Sequence, residues 1–233
     1  VYKRQLYAIT PRFAPTSTPE QLERAGQLKA EFPDVYVHTH LSENKDEIAW
    51  VKDLFPHQNG YLDVYHHYGL TGQRSVFAHC VHLEDTEWKC MHDTNSAISF
   101  CPTSNLFLGS GLFPLKKTWD QQVKVGLGTD IGAGTSFSLL QTVNEAYKVQ
   151  QLQGDKLSAY ESLYHATLGG AKALDLDDKL GNFNVGKEAD FVVLDLKATA
   201  LQQLRQSRAK SIEDSLFALF TICLLYTSDA ADD

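Results

Sequence analysis

Paired cysteine is missing from this sequence. Its four cysteines, Cys80, Cys90, Cys101 and Cys223, form no CxxC pair, so neither a zinc knuckle nor a disulfide framework is indicated. Positive charge is in deficit: 21 Lys and Arg stand against 29 Asp and Glu, a formal net charge of -8. The basic face with which a nucleic-acid binder neutralises phosphates is therefore not expected. No apolar run approaches the roughly 18 residues of a membrane span, and no basic stretch followed by an apolar one opens the sequence as a secretory signal would. Neither GxGxxG nor the GxxxxGKS/T pattern occurs, which removes the phosphate-cradling turns of nucleotide-binding open sheets. What is present is 43% hydrophobic residues in 233, enough for a sizeable core. The expectation is a cytoplasmic globular protein with neither nucleic-acid nor membrane partners.

Both ends depart from ordinary protein sequence. Residues 1–5 and 223–233 read like translated sequencing-adapter stretches and are set aside as scars. The chain between them is expected to begin inside a longer protein.

From residue 6 to about 130, β-rich runs alternate with amphipathic segments. The runs cover 6–9, 35–38, 75–78, 97–100 and 123–127. Thr18-Pro19-Glu20-Gln21 has the form of an N-cap, a proline at the first helical position and a Gln placed for a capping box. Leu22, Ala25, Leu28 and Phe32 then recur at helical spacing, as do Ile48, Val51, Leu54 and Phe55, and later Leu140, Val143, Ala146 and Tyr147. Ser158 and Glu161 form another capping box, expected to open one helix through about Leu174. Strand alternating with helix predicts an α/β fold on a parallel sheet. His40, His79 and Asp130 each fall at or just past the end of a different strand. Reactive groups arriving from several strand ends favour a barrel, because those ends share one face. Five strands fall short of eight, so a partial barrel is expected. After residue 180 a turn and an apolar strand over 189–196 suggest a small β appendage.

The sharpest local feature is His38-Thr39-His40 followed by Glu43. On a strand His38 and His40 share a face and could share a metal, but histidines on a strand are as readily plain hydrogen-bonded side chains. Glu43 has the position of a general acid-base, or of a charge at a helix N-terminus. His79 alone reads as a buried, satisfied histidine as easily as a catalyst, and Cys80 beside it as packing. Asp130, after Gly128-Thr129, is either an oxygen ligand for a metal or the N-cap of the next helix. Arg12 has the fork to bond a purine edge, or simply makes a surface ion pair. Phe13 could flank a base or fill the core. Together, His40, Glu43, His79 and Asp130 point to metal-assisted hydrolysis more strongly than any one does.

Residues 38–43 (HTHLSE), 78–80 (AHC) and 128–130 (GTD) resemble the later-strand motifs of the amidohydrolase superfamily. Residues 166–171, Gly181 and 186–190 resemble its C-terminal segment. Within the superfamily, residues 10–13, 101–111 and 132–138 are similar to the guanine deaminase branch, and the likeness runs over 6–222. The resemblance implies the C-terminal half of a TIM-like (β/α)8 barrel, with residues 6–178 as the metal-dependent hydrolase barrel and 179–222 opening a small β-sandwich appendage. It implies one zinc ion per full-length subunit, with His40 and Asp130 as ligands. The HxH pair of the first barrel strand has no counterpart before residue 38, and His38 becomes structural. Glu43, His79 and Asp130 would be catalytic, and Arg12, Phe13, His40, Glu43 and Asp130 would contact a purine substrate. The implied reaction is hydrolytic deamination of guanine to xanthine and ammonia in purine catabolism; other aminohydrolases or chlorohydrolases of the superfamily share the zinc residues. A homodimer is left open. With two of four metal ligands, the 233-residue chain alone is expected to bind zinc weakly and turn over no guanine. Zinc analysis and a xanthine assay check this; stoichiometric zinc with turnover would contradict it.

Overall fold

The computed structural model describes residues 5–222; apart from Gln5, the two segments read as scars lie outside the described residues. Five strands pair in parallel and in sequence order: β1 (Ala8–Ile9), β2 (Tyr36–Leu41), β3 (Ser75–His79), β4 (Ala97–Phe100) and β5 (Lys124–Leu127). An open doubly wound sheet reverses its order at a switch point. Sequential order without reversal is an arc of a barrel, so the fold is α/β and the sheet is part of a barrel.

The helices follow the expected signals. Thr18 caps α1 (Pro19–Glu31) by accepting from the Gln21 backbone N–H. Asn44 and Glu47 make a full capping box on α2 (Lys45–Leu54). The chain continues through α3 (Tyr61–His67), α4 (Asp85–Asp93), α5 (Pro102–Phe107), α6 (Leu115–Asp120) and α7 (Leu139–Leu152). Period-two alternation along β2 sends Val37, Thr39 and Leu41 into the buried layer beneath these helices, and His38 and His40 to the other face. The buried layer continues through Phe77, Ile98, Phe100 and Val125, against Leu22, Val51, Tyr65, Trp88 and Phe113. Each fully buried large apolar side chain contributes ~1.5–3 kcal/mol.

Two expectations are corrected. The helix expected over 158–174 breaks at Thr167, whose φ of -133° and ψ of -96° are not helical, giving α8 (Ala159–Ala166) and α9 (Leu168–Ala173). The break lets α9 turn onto the histidine-bearing face of the sheet, where Ala173 packs with Val76 and Ala97. Residues 189–196 form no strand: Phe191, Val192 and Val193 are 61%, 81% and 85% exposed. An apolar run becomes a strand only when a neighbouring strand pairs with its backbone, and the described residues show no ladder over this run. The last described residues instead form α10 (Ala200–Gln206) and α11 (Ile212–Thr221), with Leu219 and Phe220 against Val143 and Ala159. No described helix is long and apolar enough to cross a membrane.

Gly126 on β5 permits the approach of α9, since a Cβ there would lie 2.8 Å from the Gly170 Cα. Gly126→Ala is expected to destabilise the fold by ~1–3 kcal/mol through overpacking, read as a lower urea midpoint; an unchanged midpoint would show that α9 does not press on β5.

Candidate active site

Register brings the polar residues together. In the parallel pairing of β2 with β3, His40 lies beside Ala78 and Leu41 beside His79. Strict alternation would send the His79 side chain the way of Leu41, into the helix layer. His79 instead has a φ of +71°, with Cys80 at +52°, Ser42 at +48° and Asp130 at +46°. These four left-handed residues, none a glycine, stand at the ends of β2, β3 and β5. Such conformations cost on the order of 1–3 kcal/mol each and cluster where side chains must be re-aimed. Cross-strand bonds hold them: Cys80 N–H donates to the Leu41 carbonyl at 2.9 Å and His82 N–H to the Ser42 carbonyl at 3.2 Å.

The turned His79 ring stacks on His40, centroids 5.2 Å apart and planes at 26°. Its Nε2 faces Glu43 Oε2 at 3.8 Å and Asp130 Oδ2 at 4.0 Å. The ring is 1% exposed, and Nε2 has no hydrogen-bond partner among the described residues. A buried polar atom left unpaired is costly unless something else occupies the space, so His79 is not the satisfied core histidine of the plainer reading. Glu43 is not the cap of α2 either: Asn44 is, and the Glu47 carboxylate accepts from the Glu43 and Asn44 backbone N–H groups. The free Glu43 carboxylate accepts from Ser110 Oγ at 3.0 Å. Asp130 likewise does not cap α7, a role taken by Ser138.

Arg12 and Phe13 reach the same place through their backbone. The Arg12 carbonyl accepts from His40 N at 3.3 Å, His40 Nδ1 at 2.6 Å and Thr39 Oγ1 at 3.1 Å. The Tyr65 hydroxyl donates to the His40 carbonyl and accepts from Ala14 N–H, each at 2.9 Å. Burial pushes this phenol up to about 12, so it stays protonated. Phe13 then lies 5.9 Å from His40 and 6.2 Å from Trp50, with the Arg12 guanidinium 5.4 Å over its ring. His38 shares the His40 face two residues further into the strand. Burial raises the Cys80 thiol and pushes Cys101 up to about 12, so both thiols are neutral in the fold.

The amidohydrolase family profile matches residues 3–220. The chain belongs to the amidohydrolase family. It is 68% identical over 219 residues to guanine deaminase of Escherichia coli (strain K12), an alignment covering 94% of this chain and 50% of that protein. It superposes on the E. coli guanine deaminase structure with a TM-score of 0.93, covering 94% of this chain and 51% of that one. A C. acetobutylicum guanine deaminase structure with bound guanine in its active site matches at 33% identity and TM-score 0.82, over 91% of this chain and 50% of that one. An adenosine deaminase of Xanthomonas campestris with bound zinc matches at 28% identity and TM-score 0.80, over 90% and 47%. The chain spans about half the length of the curated relatives it matches.

The donor chemistry suits part of a zinc site. Metal-bound histidines commonly donate their second ring N–H to a carbonyl; His40 Nδ1 donating to Arg12 leaves its Nε2 lone pair free in that way. Asp130 offers an oxygen. Among the described residues no group of three or more His, Cys, Asp or Glu side chains could hold a metal ion, so these residues alone do not complete a coordination shell. The sequence reading had not singled out Tyr65, Asn105 or Ser110, which are far from the motifs in sequence; for Asn105 and Ser110 the only signal was the family-like segment 101–111.

Tyr65→Phe removes the hydroxyl that ties Ala14 to His40. A loss of ~1–3 kcal/mol is expected from the stranded backbone groups, measured by urea unfolding; a loss near zero would show that water replaces the hydroxyl.

Proposed function

We propose that the whole protein carrying this sequence is a zinc-dependent guanine deaminase converting guanine to xanthine and ammonia. The supporting observation is the convergence of Glu43, His79 and Asp130 from the ends of β2, β3 and β5, in a chain 68% identical to a guanine deaminase. His40 and Asp130 would hold the zinc ion, with remaining ligands from outside the described residues. When bound, zinc supplies activation of water at neutral pH.

The residues of this chain divide the remaining work. Glu43, free of capping duty and held by Ser110, accepts the proton of the attacking water and returns it to the ring nitrogen beside the reacting carbon. Asp130, with His79 between it and Glu43, takes the second proton of the added water and passes it to the exocyclic amine, which departs as ammonia. Atoms balance: water and guanine become xanthine and ammonia. The Arg12 fork suits the O6 and N7 edge of the purine, and Phe13, next to His40, suits its flat face. Substrate choice among related heterocycles rests with residues 10–13 and 101–111, because sister amidohydrolases share the metal residues. On the same reading, residues 6–178 are barrel and 179–222 open an appended unit, and the protein works in the cytoplasm.

The test joins this chain to the part of the E. coli relative that the alignment leaves uncovered, and assays the hybrid with zinc. Xanthine is expected from guanine, with no product from adenosine or triazines. Glu43→Gln is expected to lower kcat by about 10²–10⁴-fold. Deamination of adenosine in preference to guanine, or full activity in Glu43→Gln, would refute the assignment.

A further inference from the structure

Asn105 lies in α5, immediately beyond β4, and is 1% exposed. Its backbone is committed on both sides: its N–H donates to the Cys101 carbonyl at 3.0 Å, and its carbonyl accepts from Ser110 N–H at 2.8 Å. The side chain is thereby delivered to a fixed place, where its Oδ1 accepts from His79 Nδ1 at 2.8 Å. Both partners are buried, and neither Nε2, the other ring nitrogen, nor the Asn105 Nδ2 has a partner among the described residues.

A neutral imidazole carries one N–H, and the bond made by one nitrogen decides what the other can do. Two carboxylate oxygens, on Glu43 and Asp130, face Nε2 at 3.8 and 4.0 Å and draw a proton towards that side. The Asn105 amide oxygen draws it to the opposite side, at hydrogen-bond distance and with water excluded, where a bond is strongest. We propose that Asn105 is a positioning residue that holds His79 as its Nδ1–H tautomer, leaving the Nε2 lone pair aimed between Glu43 and Asp130. His79 then receives hydrogen bonds at the reaction centre rather than giving them. It can accept from protonated Glu43, or from water beside it, and steady the proton between the two carboxylates. The same turn that fixes Asn105 carries Ser110, whose hydroxyl aims Glu43. One short segment, 105–110, thus orients both neighbours of the transferred proton.

What Nε2 contributes to turnover rests on the deaminase reading, whereas the tautomer is a property of the folded chain. The experiment is a two-bond 1H–15N spectrum of 15N-histidine-labelled chain, alone or completed as the hybrid, with His79 assigned by its loss in His79→Gln. The wild type and Asn105→Asp, whose carboxylate keeps an acceptor and loses the amide N–H donors, are expected to show the pyrrole-type nitrogen at Nδ1. Asn105→Leu, similar in size and without an acceptor, is expected to move it to Nε2. In the hybrid, Asn105→Leu is expected to lower kcat about 10- to 100-fold with KM changed by less than about twofold, the pattern of a lost transition-state interaction, and Asn105→Asp to recover part of it. A wild-type ring with its proton on Nε2 would overturn the proposal without any variant, as would an unchanged ring in Asn105→Leu. A hybrid without deaminase activity but with the expected spectra would refute the deaminase reading and leave the tautomer assignment standing.

Discussion

The parallel pairing of β2 with β3 is the constraint on which the site depends. It sets Leu41 beside His79, and the chain then has to leave the sheet at both strand ends within a residue of each other. The exits are made by left-handed turns at Ser42, His79 and Cys80, tied across the strands by the Cys80 and His82 amides. Without the turn at His79 its ring would follow Leu41 into the apolar layer. With it, the ring stacks on His40 and its Nε2 faces two carboxylates. Strand pairing supplies the free energy that holds residues in conformations they would not choose, and those conformations place the chemistry.

Around that seam, bonds between side chain and backbone set the frame, and two side-chain pairs, Asn105 on His79 and Ser110 on Glu43, complete it. The Arg12 carbonyl orients His40, the Tyr65 hydroxyl joins the Phe13-Ala14 turn to β2, and Glu47 ties down the backbone leading from Glu43 into α2. Backbone acceptors are positioned by the fold and cost no side-chain entropy to order. The reactive atoms Glu43 Oε2, His79 Nε2 and the Asp130 carboxylate are thereby spared from structural bonding. The division between Glu47, which accepts from two backbone amides and the Tyr61 hydroxyl, and Glu43, which accepts only from Ser110 among the described residues, shows how the support and the reacting group differ.

Much of the architecture was legible before the fold. The five strands fall where the β-rich runs are, and the caps at Thr18 and Ser158 act through local hydrogen bonds that sequence spacing exposes directly, whereas the Asn44 cap of α2 came only with the fold. Two segments misled for one reason. The apolar run at 189–196 has the composition of a strand but joins no sheet among the described residues, and the stretch after Ser158 has helical composition but turns at Thr167 so that α9 can meet Gly126. Propensity is a local quantity; pairing and close approach are not.

Sequence by itself determined the chemistry on offer: histidines at two strand ends and a carboxylate past a third, an acid-base candidate three residues past His40, and a fold class in which such ends converge. It determined these because strand periodicity and residue type are one-dimensional properties. Tertiary structure alone decided which groups are free to react. Only in the fold does Asn105 meet His79 across 26 residues, Ser110 meet Glu43 across 67, and Tyr65 meet Ala14 across 51. Those contacts follow from the register of parallel strands and from positive-φ turns at residues other than glycine, neither of which leaves a mark in the order of the amino acids.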